Sequence, residues 1–105
     1  MTPVEIGHSQ IDHIYQYPSE RLTAQAAAQY AKDLIAPIKR PVVTFATGNT
    51  MIPVLEELAI LSHSERTNLH RIIALHLDEY FPQDPQGVHS FVKFLYERAF
   101  QPLGL

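Results

Sequence analysis

The 105-residue chain contains no cysteine and no tryptophan, and only four glycines. Without cysteine there is neither a disulfide framework nor a thiolate metal site, and a reducing compartment is compatible with the composition. Basic residues are also scarce. Eight Lys and Arg stand against eleven Asp and Glu, for a formal net charge of −3, and they form no block. A nucleic acid or an anionic membrane surface therefore finds no electrostatic footprint. No uncharged apolar run approaches the roughly 20 residues that cross a bilayer. The start, Met1-Thr-Pro-Val-Glu-Ile-Gly-His8, lacks the basic opening and apolar core of a signal peptide. What is present is 46% hydrophobic residues, enough for one small core and too little for two. The expectation is one cytoplasmic domain spanning residues 1–105, with no nucleic-acid and no membrane partner.

There is no internal repeat and no low-complexity tract. Residues up to Pro18 form a mixed polar and aromatic lead-in, in which His13-Ile-Tyr-Gln-Tyr17 alternates weakly, as a short edge strand would. Ser19 to Ile35 reads as a helix. Ser19 is an N-cap, Glu20 lies where the helix dipole favours an anion, and Pro37 ends the segment. Leu22, Ala26, Tyr30 and Leu34 recur every four residues beside Ala27, Ala31 and Ile35, which predicts an inner stripe with Tyr30 in the core.

Pro41–Ala46 and Arg71–Leu77 are short runs that are nearly continuous in apolar character, as in parallel strands covered on both faces. Between them Pro53 to Leu61 has helical periodicity, with Val54, Leu55, Leu58 and Leu61 inward. Strand, helix, strand is a βαβ unit. A loop with two prolines and a glycine follows from Asp78 to Gly87. A third helix spans roughly Ser90 to Phe100, with Phe91, Phe94, Leu95 and Ala99 as its stripe and Pro102 and Gly104 as its stop. So few strands rarely close an α/β sheet. The predicted class is therefore α/β, a three-layer parallel-sheet, Rossmann-like fold in incomplete form, whose exposed strand edge implies either self-association through that strand or membership of a longer chain.

Ligands of parallel α/β sheets bind at the carboxyl ends of the strands, and two polar clusters fall there. Thr47-Gly48-Asn49-Thr50 follows the first strand. Gly48 permits close backbone approach, and two hydroxyls and the helix-start amides can donate to a phosphate. Taken alone, four such residues fit an ordinary capped turn better, and the lysine of a nucleotide-binding loop is missing. Asp78-Glu79-Tyr80 follows the second strand. Adjacent strand residues point to opposite faces, so one acid would be the reactive group and the other a hydrogen-bond or ion-pair partner. A strand-end carboxylate desolvated by a sugar can act as a general base, although a bare Asp-Glu pair is more commonly two solvated acids.

Six histidines, His8, His13, His63, His70, His76 and His89, match no zinc-ligand spacing, and no metal is expected. His76 reads as a partly buried strand residue and His8, His13, His63 and His70 as surface residues.

These pieces together resemble the glucosamine-6-phosphate deaminase/isomerase family, which shares its fold with the 6-phosphogluconolactonases. Val43–Thr50 with Pro53 and Leu58 is similar to the family's strand and Thr-Gly-Ser/Gly-Thr-Pro loop. Leu77-Asp-Glu-Tyr80 matches its Leu/Met-Asp-Glu-Tyr motif, and Asp84–Ser90 with Phe91 and Phe94–Phe100 resembles the segment that follows. The resemblance covers about Ser19 to Leu105. It implies the N-terminal portion of a larger α/β domain, with Asp78 moving the proton between C2 and C1 of an opened amino sugar. It also implies substrate or phosphate binding by Thr47, Gly48, Asn49 and Thr50, with Glu79 and Tyr80 in the same site.

The implied function is aldose–ketose isomerisation with deamination of an amino-sugar 6-phosphate, with no cofactor. The partners are a small-molecule sugar phosphate and further copies of the chain in a homo-oligomer. Asn49, Met51 and Leu55 depart from the family's usual residues, and its ring-opening aspartate, histidine and glutamate have no match here. Two alternatives stand beside this reading. One is a non-catalytic sugar-phosphate sensor, against which the intact Asp-Glu-Tyr argues. The other is a lactonase-like hydrolase, whose motif usually places Arg where Tyr80 stands.

Overall fold

A computed structural model of the chain describes residues 2–64, 66–79 and 90–105. The lead-in forms a two-stranded antiparallel ribbon of β1 (Val4–Ile6) and β2 (Ile14–Gln16), paired Val4 to Gln16, Glu5 to Tyr15 and Ile6 to Ile14. Three-residue β1, with glutamate at its centre, is too short to show alternation in sequence. Most of the ribbon is exposed. The His13 ring stacks on Tyr15 at 5.8 Å and meets Glu5 Oε1 at 3.0 Å, and a polar contact so open to water adds little stability.

Helix α1 (Glu20–Ile35) begins as expected, with the Ser19 hydroxyl accepting from the Leu22 N–H at 3.2 Å. Its inner face keeps Ala31 and Ile35 of the expected stripe and otherwise differs from it. Ala24, Ala28 and Ile35 are buried, whereas Tyr30 is 68% exposed and Leu34 is exposed as well. At 100° per residue the Leu22–Ala26–Tyr30–Leu34 row lies on the far side from the alanine row. Small residues face inward because α1 packs directly on the next helix, and alanine allows close approach of two backbones. The two helices are also joined by Arg21 and Glu57 at 3.8 Å.

β3 (Val42–Phe45), α2 (Met51–Ser64) and β4 (Ile73–His76) make the expected βαβ unit. The strands are parallel, in the register Val42 to Ile73, Val43 to Ala74, Thr44 to Leu75 and Phe45 to His76. The ladder continues at both ends, with Ile73 N–H donating to Pro41 O at 2.8 Å and Leu77 N–H to Phe45 O at 2.9 Å. Leu55 and Leu58 of α2 are buried, with Met51, Val54 and Leu61 packed against them. A 3₁₀ turn, Leu69–Arg71, leads into β4. Just before it the Asn68 side-chain amide donates to the carbonyls of Ile35 (3.0 Å) and Ile38 (2.8 Å).

The expectation that both sheet faces are covered is corrected for this chain. Phe45 and Ile72 are buried on the inner face, with Val43 and Ala74 beside them, while Val42 (61%), Ile73 (54%) and Leu75 (51%) lie exposed on the outer one.

The last helical segment comprises α3 (Phe91–Leu95), a π turn (Tyr96–Phe100) and α4 (Gln101–Leu103). Pro102 does not stop it. The wider π turn bonds Gln101 N–H to Tyr96 O, so Gln101 opens a new turn and Pro102 occupies a first-turn position where no donor is needed. The stop is Gly104, at φ 76°. Gly104 N–H donates to Gln101 O at 3.1 Å and Leu105 N–H to Phe100 O at 2.8 Å, the paired bonds of a Schellman end. Leu95, Ala99 and Leu103 from this segment complete one core with Phe45, Leu55, Leu58, Leu69 and Ile72. Phe100 meets Phe45 edge-on at 5.7 Å.

Candidate active site

Parallel pairing decides where the two polar clusters lie. The last registered pair is Phe45 with His76. Two residues further along each strand come Thr47 and Asp78, so both clusters leave the same sheet edge side by side.

The first cluster is the turn into α2. Gly48 has φ 109°, a conformation costly for any residue with a Cβ. A Cβ built there would meet nothing within 4 Å. The constraint is thus in the backbone, and the space above it is open. Met51 N–H donates to Gly48 O at 3.0 Å and Ile52 N–H to Asn49 O at 3.2 Å, and Pro53 has no N–H to place. Thr47 is half-buried, while Gly48, Asn49 and Thr50 are exposed. The amides of Asn49 and Thr50 have no partner among the described residues. A 14-residue helix thus opens onto solvent with two unengaged donors and three hydroxyl or amide side chains around it.

The second cluster is the exit from β4. Asp78 is exposed, and its carboxylate makes no hydrogen bond or ion pair among the described residues. Its backbone carbonyl lies 3.1 Å from His76 Nδ1. A carbonyl only accepts, so His76 carries its hydrogen on Nδ1. His76 is exposed, which corrects the expectation of a partly buried ring. Glu79 is half-buried. Its Oε1 accepts from Phe91 N–H at 2.9 Å and its Oε2 from Val92 N–H at 2.8 Å. Ser90, itself buried, accepts on its hydroxyl from Lys93 N–H at 3.1 Å, and its carbonyl accepts from Phe94 N–H. Every amide of the first turn of α3 therefore has a protein acceptor. Tyr80 and His89 lie outside the described residues. Among the described residues, no three of His, Asp and Glu gather closely enough to hold a metal ion.

The sequence reading missed the cap built by Glu79 and Ser90. A serine directly before an apolar helical stripe is a recognisable N-cap signal. A glutamate eleven residues upstream of it carries no local signature at all.

No protein-family model matches the chain, and no curated protein matches it. A solved structure does. It is a monomeric glucosamine-6-phosphate deaminase, described as a missing link of the NagB superfamily, and it matches with a TM-score of 0.76 and 26% identity. The chain has a NagB-superfamily fold. The match covers 82% of this chain and 36% of the other, so this chain spans about a third of the length of its neighbour. The family resemblance of the sequence is thus accompanied by a resemblance of fold, and the mixed α/β architecture with a parallel sheet agrees with an incomplete Rossmann-like arrangement. No helix among the described residues is long and apolar enough to cross a membrane.

Proposed function

We propose that the chain forms part of the active site of an amino-sugar 6-phosphate isomerase/deaminase of the glucosamine-6-phosphate type. The observation that carries this reading is the juxtaposition at one sheet edge. An exposed carboxylate with no described partner, Asp78, stands beside a helix-opening turn with unengaged donors, Thr47–Thr50, in a chain 26% identical to such a deaminase.

In this reading the phosphate of the substrate is held by the Thr47 and Thr50 hydroxyls and the amides at the start of α2, where the helix dipole favours an anion. Asp78 takes the proton from C2 of the opened amino sugar and returns it at C1, giving a ketose 6-phosphate as water displaces ammonia. Exposure of the carboxylate before substrate arrives suits this role, because bound sugar then supplies the desolvation that strengthens the base.

The test is Asp78→Asn in the protein as encoded, assayed by ammonia release from glucosamine 6-phosphate. Loss of a positioned base costs about 10²–10⁴-fold in kcat with the shape of the site preserved. Turnover within a few-fold of the unmutated protein overturns the assignment. Hydrolysis of 6-phosphogluconolactone, measured alongside, tests the related lactonase chemistry on the same sample.

A further inference from the structure

The two residues flanking the proposed base are each committed to backbone, and in a way that holds the base between them. On the strand side, His76 donates from Nδ1 to the carbonyl of Asp78 at 3.1 Å, which closes a tight ring around Leu77 and fixes the peptide unit leaving Asp78. On the helix side, the Glu79 carboxylate takes two amides of α3 at 2.9 and 2.8 Å. These bonds join residues twelve and thirteen apart in sequence and set the distance between the end of β4 and the start of α3. A carboxylate accepting two N–H groups forms charge-assisted bonds, stronger than neutral ones. Asp78 lies between these two anchors with its own carboxylate unengaged among the described residues.

We propose that His76 and Glu79 are positioning residues for Asp78, the first holding the Asp78 carbonyl and the second tying the next residue to the start of α3, while the Asp78 carboxylate is left free. The proposal rests on the reading of Asp78 as the base. It reassigns Glu79, which the family resemblance places among the substrate-binding residues. Both Glu79 oxygens already accept from amides, and a second anion facing a substrate phosphate would repel it. The His76 anchor requires only that Nδ1 carry a hydrogen, which the acceptor carbonyl dictates. A misplacement of about 1 Å at a reacting group costs on the order of 10²-fold in rate. A device that fixes the peptide unit leaving Asp78 and anchors the side chain of the next residue therefore bears directly on the rate.

The experiment compares kcat, KM for glucosamine 6-phosphate and competitive inhibition by inorganic phosphate in the full encoded protein. In Glu79→Gln one amide oxygen can accept but the NH₂ group opposes the second N–H. The kcat should fall about 10–100-fold, with KM and phosphate inhibition within about twofold of the parent. Glu79→Asp keeps the charge but is one methylene short, and should fall between the two. It also serves as the reading should Glu79→Gln fail to fold. His76→Leu should lower kcat about tenfold, and His76→Asn should restore most of the loss, because its NH₂ group stands close to where Nδ1–H stood.

Independently of turnover, the amides of Phe91 and Val92 should exchange with solvent faster in Glu79→Gln while the α2 amides keep their protection. A raised KM or weakened phosphate inhibition at unchanged kcat would make Glu79 a substrate ligand and overturn its part of the proposal. Unchanged kinetics throughout would overturn all of it, and failure of asparagine to rescue would overturn the part played by His76. Asp78→Asn is run beside these variants. If it stays active the base reading fails, whereas an inactive Asp78→Asn with an unaffected Glu79→Gln isolates the failure to the positioning claim.

Discussion

Two helices start at the same edge of the sheet, and they treat their first turns in opposite ways. At α3 every amide of the opening turn has a protein acceptor, supplied by Glu79 and Ser90. At α2 the turn is made from glycine in a left-handed conformation, the side chains around it are exposed, and the amides of Asn49 and Thr50 remain unengaged among the described residues. A helix start is electropositive whether or not anything binds there. The difference lies in whether the protein has already provided the acceptor. The closed start has the chemistry of a structural joint, and the open one has the chemistry of a receptor for an anion.

The comparison predicts that substitutions at the open start act on binding, and that those at the closed start leave binding unchanged and act on stability and on the placement of Asp78. The largest effect on binding is expected at Gly48. Placing valine at φ 109° stores about 1–3 kcal/mol of backbone strain, and the added side chain stands in the open space an anion would enter. Affinity for a sugar phosphate should drop about tenfold or more, equivalent to about 1.4 kcal/mol, with little change for the unphosphorylated sugar. Calorimetric titration with both sugars measures this, and equal losses for the two would erase the distinction between the starts.

A smaller effect is expected from Ser90→Ala. Losing an N-cap hydroxyl costs about 1 kcal/mol, which for a chain of this size lowers Tm by about 4–8 °C. Phosphate affinity should be untouched, and a Ser90→Ala protein that melts normally but binds phosphate poorly would reverse the roles assigned to the two turns. The smallest effect is expected away from both. Tyr30→Ser on the outer side of α1 should change stability by no more than about 0.5 kcal/mol in denaturant unfolding. A loss of several times that would mean the outer side of α1 around Tyr30 and Leu34 is covered in solution.

That last case shows where the sequence could be read and where it could not. The βαβ unit was legible because both strands are short, nearly continuous apolar runs, and Ser19, Pro37 and Pro53 punctuate the helices. The positions of Thr47 and Asp78 followed from the unit itself, since parallel strands send their carboxyl ends to one edge. The inward face of α1 was misread because the four-residue rhythm of Leu22, Ala26, Tyr30 and Leu34 has the larger side chains. Burial followed how closely two helices can approach, which selected Ala24 and Ala28 instead. Pro102 was read as a stop because a π turn, which removes the demand for its missing donor, leaves no mark in composition. The pairing of Glu79 with the start of α3 could not be seen at all. It joins residues twelve and thirteen apart in sequence, a separation at which no local periodicity signals a contact.

The Asn68 side chain has a consequence for how the molecule comes apart. Its single NH₂ group holds the last carbonyl of α1 and the carbonyl of Ile38, from a position just ahead of β4. The end of α1 therefore cannot fray without also loosening the entry to β4, thirty or more residues further along the chain. Most globular chains open in patches whose free energies range from near zero to that of complete unfolding. Here the span from α1 to β4 is tied into one such patch, which should exchange its core amides together and late. The β1–β2 ribbon has three short pairs and mostly exposed side chains, so it should exchange early and on its own, giving the chain two separable clocks.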